Sequence, residues 1–420
     1  MANRTLQTSL IAKAAVRILE NELGAAKAVY RGYEDEFSKS VNGYEVGDTI
    51  TIRRPADFTV RDGAVASNQD VSEGKTSLVI DKQKGIDFSF TSKELTLDIT
   101  ELSERVIRPA MIQLANQVDK DLLSLATSVP NWVGTPGESI KGFKDFAAAV
   151  ERLDELGVPK GDRSAFLAPS DFWGLLGSQT NLYVQDAARG AYREGALGNI
   201  AGVNTFMSQN VATFTTGSRS GSSIAVNGSI TAATVTWEAV RDTNVQTISI
   251  DGLGGATQTL AAGDVFTIAD VYDVNPVTKQ PLPFLKQFTV VEGATGSGSA
   301  IASLKITPAM IWSGAHQTVA VKAGVTDLDN KAITLVGAAS TGYRQSMIFH
   351  KNAFALVMAP LVAPPGAVDV ARESYKGISA RLVPYYDGSN DVSRYRLDIL
   401  YGIKAVDPRL AIRVSGSAAS

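Results

Sequence analysis

The sequence predicts a mixed α+β chain interrupted by an inserted all-β domain. Three observations carry this expectation. Hydrophobic periodicity switches between helical and strand spacing along the chain, a long central stretch is poor in charge and rich in threonine and glycine, and α/β character resumes after it.

Composition sets the bounds. With 420 residues, 44% of them hydrophobic, the chain can bury a large core and divide into two or more compact units. No N-terminal run joins a basic flank, an apolar core and a small-residue cleavage site, and the apolar stretch ALVMAPLVAPPGAV is broken by prolines. Neither a secretion signal nor a membrane span is expected. Cysteine is absent, which excludes disulfides, zinc-thiolate sites and thiol nucleophiles. Forty basic against 43 acidic side chains give a formal charge of -3, unlike a dedicated nucleic-acid binder, so any contact with DNA would be non-specific.

At the N-terminus, Leu6, Leu10, Ala14 and Ile18 share one helical stripe, Ile11, Ala15 and Leu19 lie beside it, and Gly24 reads as a stop. An amphipathic helix is expected. Periodicity leaves open whether it is an arm packed on another chain or a helix packed on its own domain. From Glu45 the period changes: Ile50 and Ile52 alternate with polar residues, and Leu78, Ile80, Ile86, Phe88 and Phe90 do so on the return, predicting paired strands. Residues 55 to 76 between them are polar and glycine-bearing, and a connection longer than about 15 residues is unusual unless it is functional or disordered. Arg53, Arg54, Arg61 and Lys75 stand here against Asp57, Asp62, Asp70 and Glu73. That pattern suits pairing with a neighbour's charges, and it suits a solvated hairpin tip as well. One exposed ion pair contributes only about 0 to 1 kcal/mol, so a contact role would depend on repetition in many copies.

Asp98 with Glu101 forms a helix start signal, and Leu102, Val106, Ala110, Leu114, Val118 and Leu122 recur every four residues, joined by Ile107, Met111 and Leu125. A helix over about residues 99 to 128, roughly 45 Å long, is expected. Pro109 predicts a kink or a restart within it. Residues 142 to 157 predict a second amphipathic helix with Phe143, Phe146, Ala147, Val150 and Leu153 inward, closed by Gly157. Residues 164 to 177 predict a buried strand and a helix.

A boundary falls near Thr213. From there to Thr341, 16 of 129 residues are charged, against 67 of the other 291. Short β-branched runs such as QTISIDG, DVFTIADV, KQFTVVEG and KAITLVG are separated by turn residues, predicting an all-β barrel or sandwich. SMIFHKNAFALVMAP then restores α/β character. GISARLVPYY, a DGSND turn, VSRYRLDILYGIKAV and RLAIRVSG predict a closing meander.

Tests for chemistry fail at the motif level. Gly74 to Thr76 read GKT, but Gln69 stands where a phosphate loop needs its first glycine and a strand follows in place of a helix. Glycines 252, 254 and 255, and 293, 296 and 298, lie between β runs and read as turns. Only two histidines exist, His316 and His350, and GSRSG places Arg219 where a nucleophile elbow needs serine. No enzyme, cofactor, metal or catalytic residue is expected, although spacing in sequence leaves carboxylate pairs open.

PSDFWGLLGSQTNLYVQDAARGAYREGALGNIAGVNTF, SMIFHKNAFALVMAPLVAPPGA and RYRLDILYGIKAVDPRLAIRVSG flank the insertion and close the chain. With these blocks and this order of elements, the sequence resembles tailed-bacteriophage major capsid proteins of the Hong Kong-97 fold. Within them it is similar to Salmonella-type short-tailed phage coat proteins with an inserted β-barrel. The resemblance implies an N-terminal arm (1–40), an extended β-hairpin loop region (41–97), a spine helix of the peripheral domain (98–140), an axial domain in two parts (141–212 and 343–376) around the inserted barrel (213–342), and a C-terminal β meander (377–420). It implies a structural protein that self-assembles, as hexamers and pentamers, into the icosahedral head shell, made in the bacterial host cytoplasm with scaffolding and portal proteins and enclosing double-stranded DNA, without a membrane. Arg53, Arg54, Arg61, Asp62 and Lys75 are the expected inter-subunit contacts. Leu10, Ile11, Glu20, Glu22 and Glu34 are the expected arm and scaffolding contacts, the acids meeting basic side chains of the scaffold together with Asp35 and Glu36.

One departure stands out. The long charged hairpin that such insertions can extend to a neighbour would fall near EAVRDTNVQTISIDG, which is short and carries only Glu238, Arg241, Asp242 and Asp251. Two alternatives remain: a self-assembling tail-tube or surface-layer protein, and a carbohydrate-active enzyme, which would need paired carboxylates in a cleft.

Overall fold

The computed structural model describes residues 3–32, 49–54, 58, 64, 73–91, 106–179, 197–221, 223–255, 257–364, 367 and 370–418, with side chains of the first helix from residue 11. The chain forms two compact units. The first comprises Met1–Ile50, Ser77–Leu123 and Phe354–Lys404, and the second Thr51–Thr76, Ser124–Ala353 and Ala405–Ser420.

In the first unit the helices Asn3–Glu22 and Arg108–Leu123 accompany a five-stranded sheet. Its rib is the 14-residue strand Val392–Ala405, which pairs with Lys82–Thr91, with Ile378–Asp387 and with Phe354–Ala359, while Ala371–Tyr375 adds to the edge of Ile378–Asp387. Register sets Leu397 opposite both Ile86 and Leu382, and Phe88 stacks on Tyr395 at 5.4 Å. Cross-strand pairs of this kind hold a sheet in one register. Tyr401 is buried and donates to Asp121 at 2.8 Å; burial, together with that carboxylate, raises its pKa.

The first helix packs within its own unit, against the long helix and the strands Ala371–Tyr375 and Ile378–Asp387. Its buried face is Ala12, Ala15, Val16 and Leu19, turned from the expected stripe, with Ala14 and Ile18 only half-buried. Alanine on that face lets two elements approach the helix at once. Charge fixes its position. Lys376 Nζ lies 3.1 Å from Glu20, Lys13 lies 4.0 Å from Glu373, and Arg31 donates to the Lys376 carbonyl at 2.7 Å. Where the helix ends, the amides of Gly24 and Ala26 donate to the two oxygens of Asp119 on the long helix, at 2.8 and 3.0 Å. Burial raises the Asp119 pKa, and these amides with Lys27 oppose the rise.

The long helix is α-helical from Arg108, preceded by π-helical Val106 and Ile107. From Arg108 to Leu123 it spans about 24 Å at 1.5 Å per residue, and a 3-10 turn, Ser124–Ser128, follows. The start signal Asp98 and Glu101 lies outside the described residues. Pro109 stands where π-helical Val106 and Ile107 give way to the α-helical stretch, a change of helix type at the position where a kink or restart is expected. The predicted four-residue spacing is retained in buried Ala110, Met111, Leu114, Val118 and Leu122.

The second unit holds a six-stranded sheet in the order Trp132–Val133, Ala411–Val414, Met347–His350, Arg163–Leu167, Val203–Met207, Asn199–Ile200. The helix Phe143–Glu155 turns Phe146, Ala149, Val150 and Leu153 inward, while Phe143 is 49% exposed and Ala147 half-buried, which corrects the expected face. Gly157, at φ +70°, closes it as expected. The closing meander over 377–420 is divided: residues 378–404 serve the first unit, and Ala411–Val414 runs between two strands of the second. Ala411–Val414 is buried on both faces, as a central strand must be, so alternation could not assign it to the meander. Segment 343–376 is divided likewise, since Phe354–Ala359 joins the first unit.

The insertion leaves and returns through one stem, Thr213–Thr215 paired with Gly342–Arg344. Of the two β architectures open from sequence, the structure has a barrel. Strand Val265–Val274 pairs with Pro281–Val290, this with Ile301–Thr307, this with Gln246–Asp251, and this with Ala225–Val226. Ala225 bridges Ala332, Ile333 donates to Ile224 O at 2.8 Å, and Ile333–Leu335 returns to the first strand, which closes the ring. Phe266, Ile268, Phe288, Val290, Ile250 and Ile306 fill it.

Barrel and sheet meet around Arg413, which is fully buried. Its guanidinium donates to Thr127 O at 2.7 Å, Gly263 O at 3.0 Å and Gln345 Oε1 at 3.2 Å, and lies 5.4 Å from the Trp132 ring. Burial pulls its pKa down to about 9, partly offset by Asp264, and it stays charged at neutral pH. Gln287 and Trp132 add a reciprocal pair, 2.7 and 2.8 Å, between the barrel and the sheet edge. Arg413→Ala should lower stability by about 3 kcal/mol or more, because two buried carbonyls and Asp264 lose their donor or counter-charge, and Arg413→Lys should restore only part. Urea unfolding of the three proteins checks this, and a variant within 1 kcal/mol of wild type would refute it.

Candidate functional site

The expected contact loop rises from a ribbon, Thr49–Arg53 paired with Lys75–Val79. Alternation predicts its burial: Ile50, Ile52, Thr76 and Leu78 are inward and their neighbours outward. The root of the ribbon, counted with the second unit, is closed by Arg54 N–H donating to Gly74 O at 2.7 Å.

Two groups of side chains hold this root. On one side lies the insertion segment that begins with the helical turn Trp237–Val240. Asp242 Oδ1 accepts the Lys75 amide at 3.1 Å, and a Cβ added at Gly74 would meet the Arg241 carbonyl oxygen at 2.4 Å and Trp237 Cζ2 at 3.7 Å. Only glycine fits so close to another backbone. Trp237 in turn stacks on His316, with ring centroids 3.9 Å apart. On the other side, Asp407 caps the turn Pro408–Leu410 and holds Arg409 through two bonds of 2.9 and 2.8 Å. Burial lowers the Arg54 pKa, Asp407 and Asp242 oppose that effect, and Arg409 adds to it. Burial alone would raise the Asp407 carboxyl, yet Arg409 and then Arg54 hold it below the usual carboxylate range.

The expected contact residues are thus distributed. Arg53 is exposed and lies 3.5 Å from Glu73, Arg54 is half-buried with its buried Nε lacking a hydrogen-bond partner among the described residues, and Lys75 is exposed with its backbone tied to Asp242. Arg61 and Asp62 lie outside the described residues, as do Asp57, Asp70, Glu34, Asp35, Glu36 and the Leu10 side chain. Ile11 is half-buried, Glu22 is exposed, and Glu20 is buried against Lys376.

Gly74, Trp237, Asp242, Asp407 and Arg409 were missed. Asp407 before Pro408 is a capping signal that could have been read, whereas nothing in sequence joins residue 74 to residue 242. His350 is buried, with its pKa lowered by burial, and accepts the Asn352 amide at 3.2 Å. Among the described residues no cluster of acids and histidines could hold a metal, and no helix is long and apolar enough to cross a membrane.

The described chain is a mixed α+β protein with a paired ribbon and an inserted barrel. The chain belongs to the P22 coat protein family, whose model, described as P22 coat protein, gene protein 5, matches residues 1–416. A major capsid protein of Acyrthosiphon pisum secondary endosymbiont phage 1 is 24% identical over 393 residues, covering 88% of this chain and 89% of that relative. Among solved structures, one from Mycobacterium phage Che8 covers 93% of this chain and 90% of its own at 16% identity and a TM-score of 0.47. The capsid structure of Cyanophage P-SCSP1u covers 89% and 85% at 10% identity and a TM-score of 0.43. The protein is a structural subunit of the phage head shell, and the tail-tube or surface-layer alternative is not favoured.

Asp407 has a folded pKa below its unfolded value, so its contribution is complete above about pH 3.8 and is lost as pH falls through the lower folded value. Asp407→Asn should cost about 1 kcal/mol at neutral pH and converge with wild type only in stronger acid. Urea midpoints across pH test this; a difference that vanishes already at pH 6 would contradict it.

Proposed function

We propose that the chain builds the shell by laying the loop between Arg54 and Glu73 over a neighbouring copy. The observation that supports this is a long connection with charges of both signs, leaving from a root held by Arg54 N–H on Gly74 O and by Asp242 on the Lys75 amide. Each weak pair made by such a connection would recur at every subunit. In this reading Arg53, Arg61, Asp62 and the Lys75 ammonium meet complementary charges, while Arg54 orients the root.

The remaining assignments follow the family. Residues 1–40 act as the arm and Arg108–Leu123 as the spine. Hexamers and pentamers assemble in the host cytoplasm with scaffolding and portal proteins, and packaged DNA is met without sequence preference. Glu22 and Glu34 are the acids proposed to meet a basic scaffold; Glu20 would be reached only if its pair with Lys376 opened. The role is structural, and no catalytic step enters it.

Arg53→Ala combined with Arg61→Ala should leave the subunit folded and raise the concentration needed for shell formation about fivefold, the equivalent of about 1 kcal/mol per subunit. Circular dichroism with negative-stain microscopy over a concentration series measures both quantities. Unchanged assembly would remove the loop from the contact.

A further inference from the structure

The segment Trp237–Asp242 of the insertion lies against Gly74 and Lys75 of its own chain. Three contacts meet at one place: the Asp242 carboxylate on the Lys75 amide at 3.1 Å, the Arg241 carbonyl against the bare face of Gly74, and the Trp237 ring beside it. The Trp237 ring is backed by His316 from a separate loop of the insertion, and Val240 packs with Ala309 and Ile311, so the seat is part of the folded barrel. The charges of Asp407 and Asp242 also favour the charged form of Arg54 against its burial.

We propose that the inserted barrel braces the root of the extended loop, with Trp237, Arg241 and Asp242 as the seat and Gly74 and Lys75 as the part seated. The barrel thereby sets the direction in which the loop departs toward a neighbour. This consequence for assembly rests on the loop reading above, whereas the brace itself is a property of the single chain. Trp237 and Asp242 are positioning residues. They act on the neighbour only through the angle of the loop.

The test uses the full chain with two readouts. In the unassembled protein, hydrogen exchange at the Lys75 amide should rise about tenfold in Asp242→Ala, where its acceptor is lost, and stay close to wild type in Asp242→Asn, which keeps an acceptor oxygen. Gly74→Val should speed exchange at Arg54 and Lys75 together, because the added side chain cannot fit under Arg241. A barrel reporter, exchange at Ile248 and Phe288, should be unchanged in all three. In assembly, Asp242→Ala and Gly74→Val should give a mixture of aberrant and closed particles where wild type gives uniform shells, and Asp242→Asn should restore uniformity.

Unchanged exchange at Lys75 in Asp242→Ala overturns the brace. Faster exchange with uniform shells overturns the directing role. Failure of the loop reading is seen separately, as normal assembly of the Arg53→Ala, Arg61→Ala protein, while the exchange data on single chains still decide the brace.

Discussion

A charge buried without a salt-bridge partner in contact is the constraint around which the second unit is arranged. Arg413 receives its compensation from carbonyl and amide oxygens that belong to separate stretches: Thr127 after the long helix, Gly263 at the start of a barrel strand, and Gln345 just beyond the stem. The two terminal nitrogens of the planar fork reach these scattered acceptors, while the buried Nε has no hydrogen-bond partner among the described residues. Each stretch must arrive correctly or a polar group is left unpaired in the interior, where that omission is expensive. The guanidinium therefore couples the register of the last strand, the orientation of the barrel and the 3-10 turn Ser124–Ser128 into one arrangement within the second unit.

The same logic runs through the first unit with smaller charges. Asp119 joins two helices by accepting the amides at the end of one, and Glu20 with Lys376 joins a helix to a strand turn. Each unit is made of three stretches far apart in sequence, so most of these pairings close long loops of chain. Folding that must form distant contacts before local ones reward it is slow and exposes strand edges meanwhile. Polar pairings of this sort choose among compact alternatives that apolar packing alone would leave nearly equal.

Much of the architecture could be read from residue order because period and composition report local geometry directly. The alternation at Ile50 and Ile52, the four-residue spacing from Ala110 to Leu122, and the fall in charge after Thr213 each correspond to observed elements. What escaped was decided by distant partners. The first helix turned its face because it serves two neighbours, and Ala411–Val414 left the meander because a central strand on both sides buried shows no alternation. The site followed the same division. Arg53, Arg54 and Lys75 were visible as a charged cluster, while Gly74 read only as part of a failed phosphate loop, and its use depends on a carbonyl 167 residues from Gly74 along the chain.

The stem of the insertion has a further consequence. Because Thr213–Thr215 and Gly342–Arg344 run side by side, the body sees the whole barrel as a short hairpin and is indifferent to how much polypeptide hangs beyond it. Genes could lengthen or shorten the parts of that appendage away from Arg413, Trp132 and Lys75 without moving its attachment, as at other surface points where chain ends meet. What ties this module to its host is the ring of polar contacts around Arg413 and Trp132. A transplanted barrel lacking those matching groups would remain attached yet swivel.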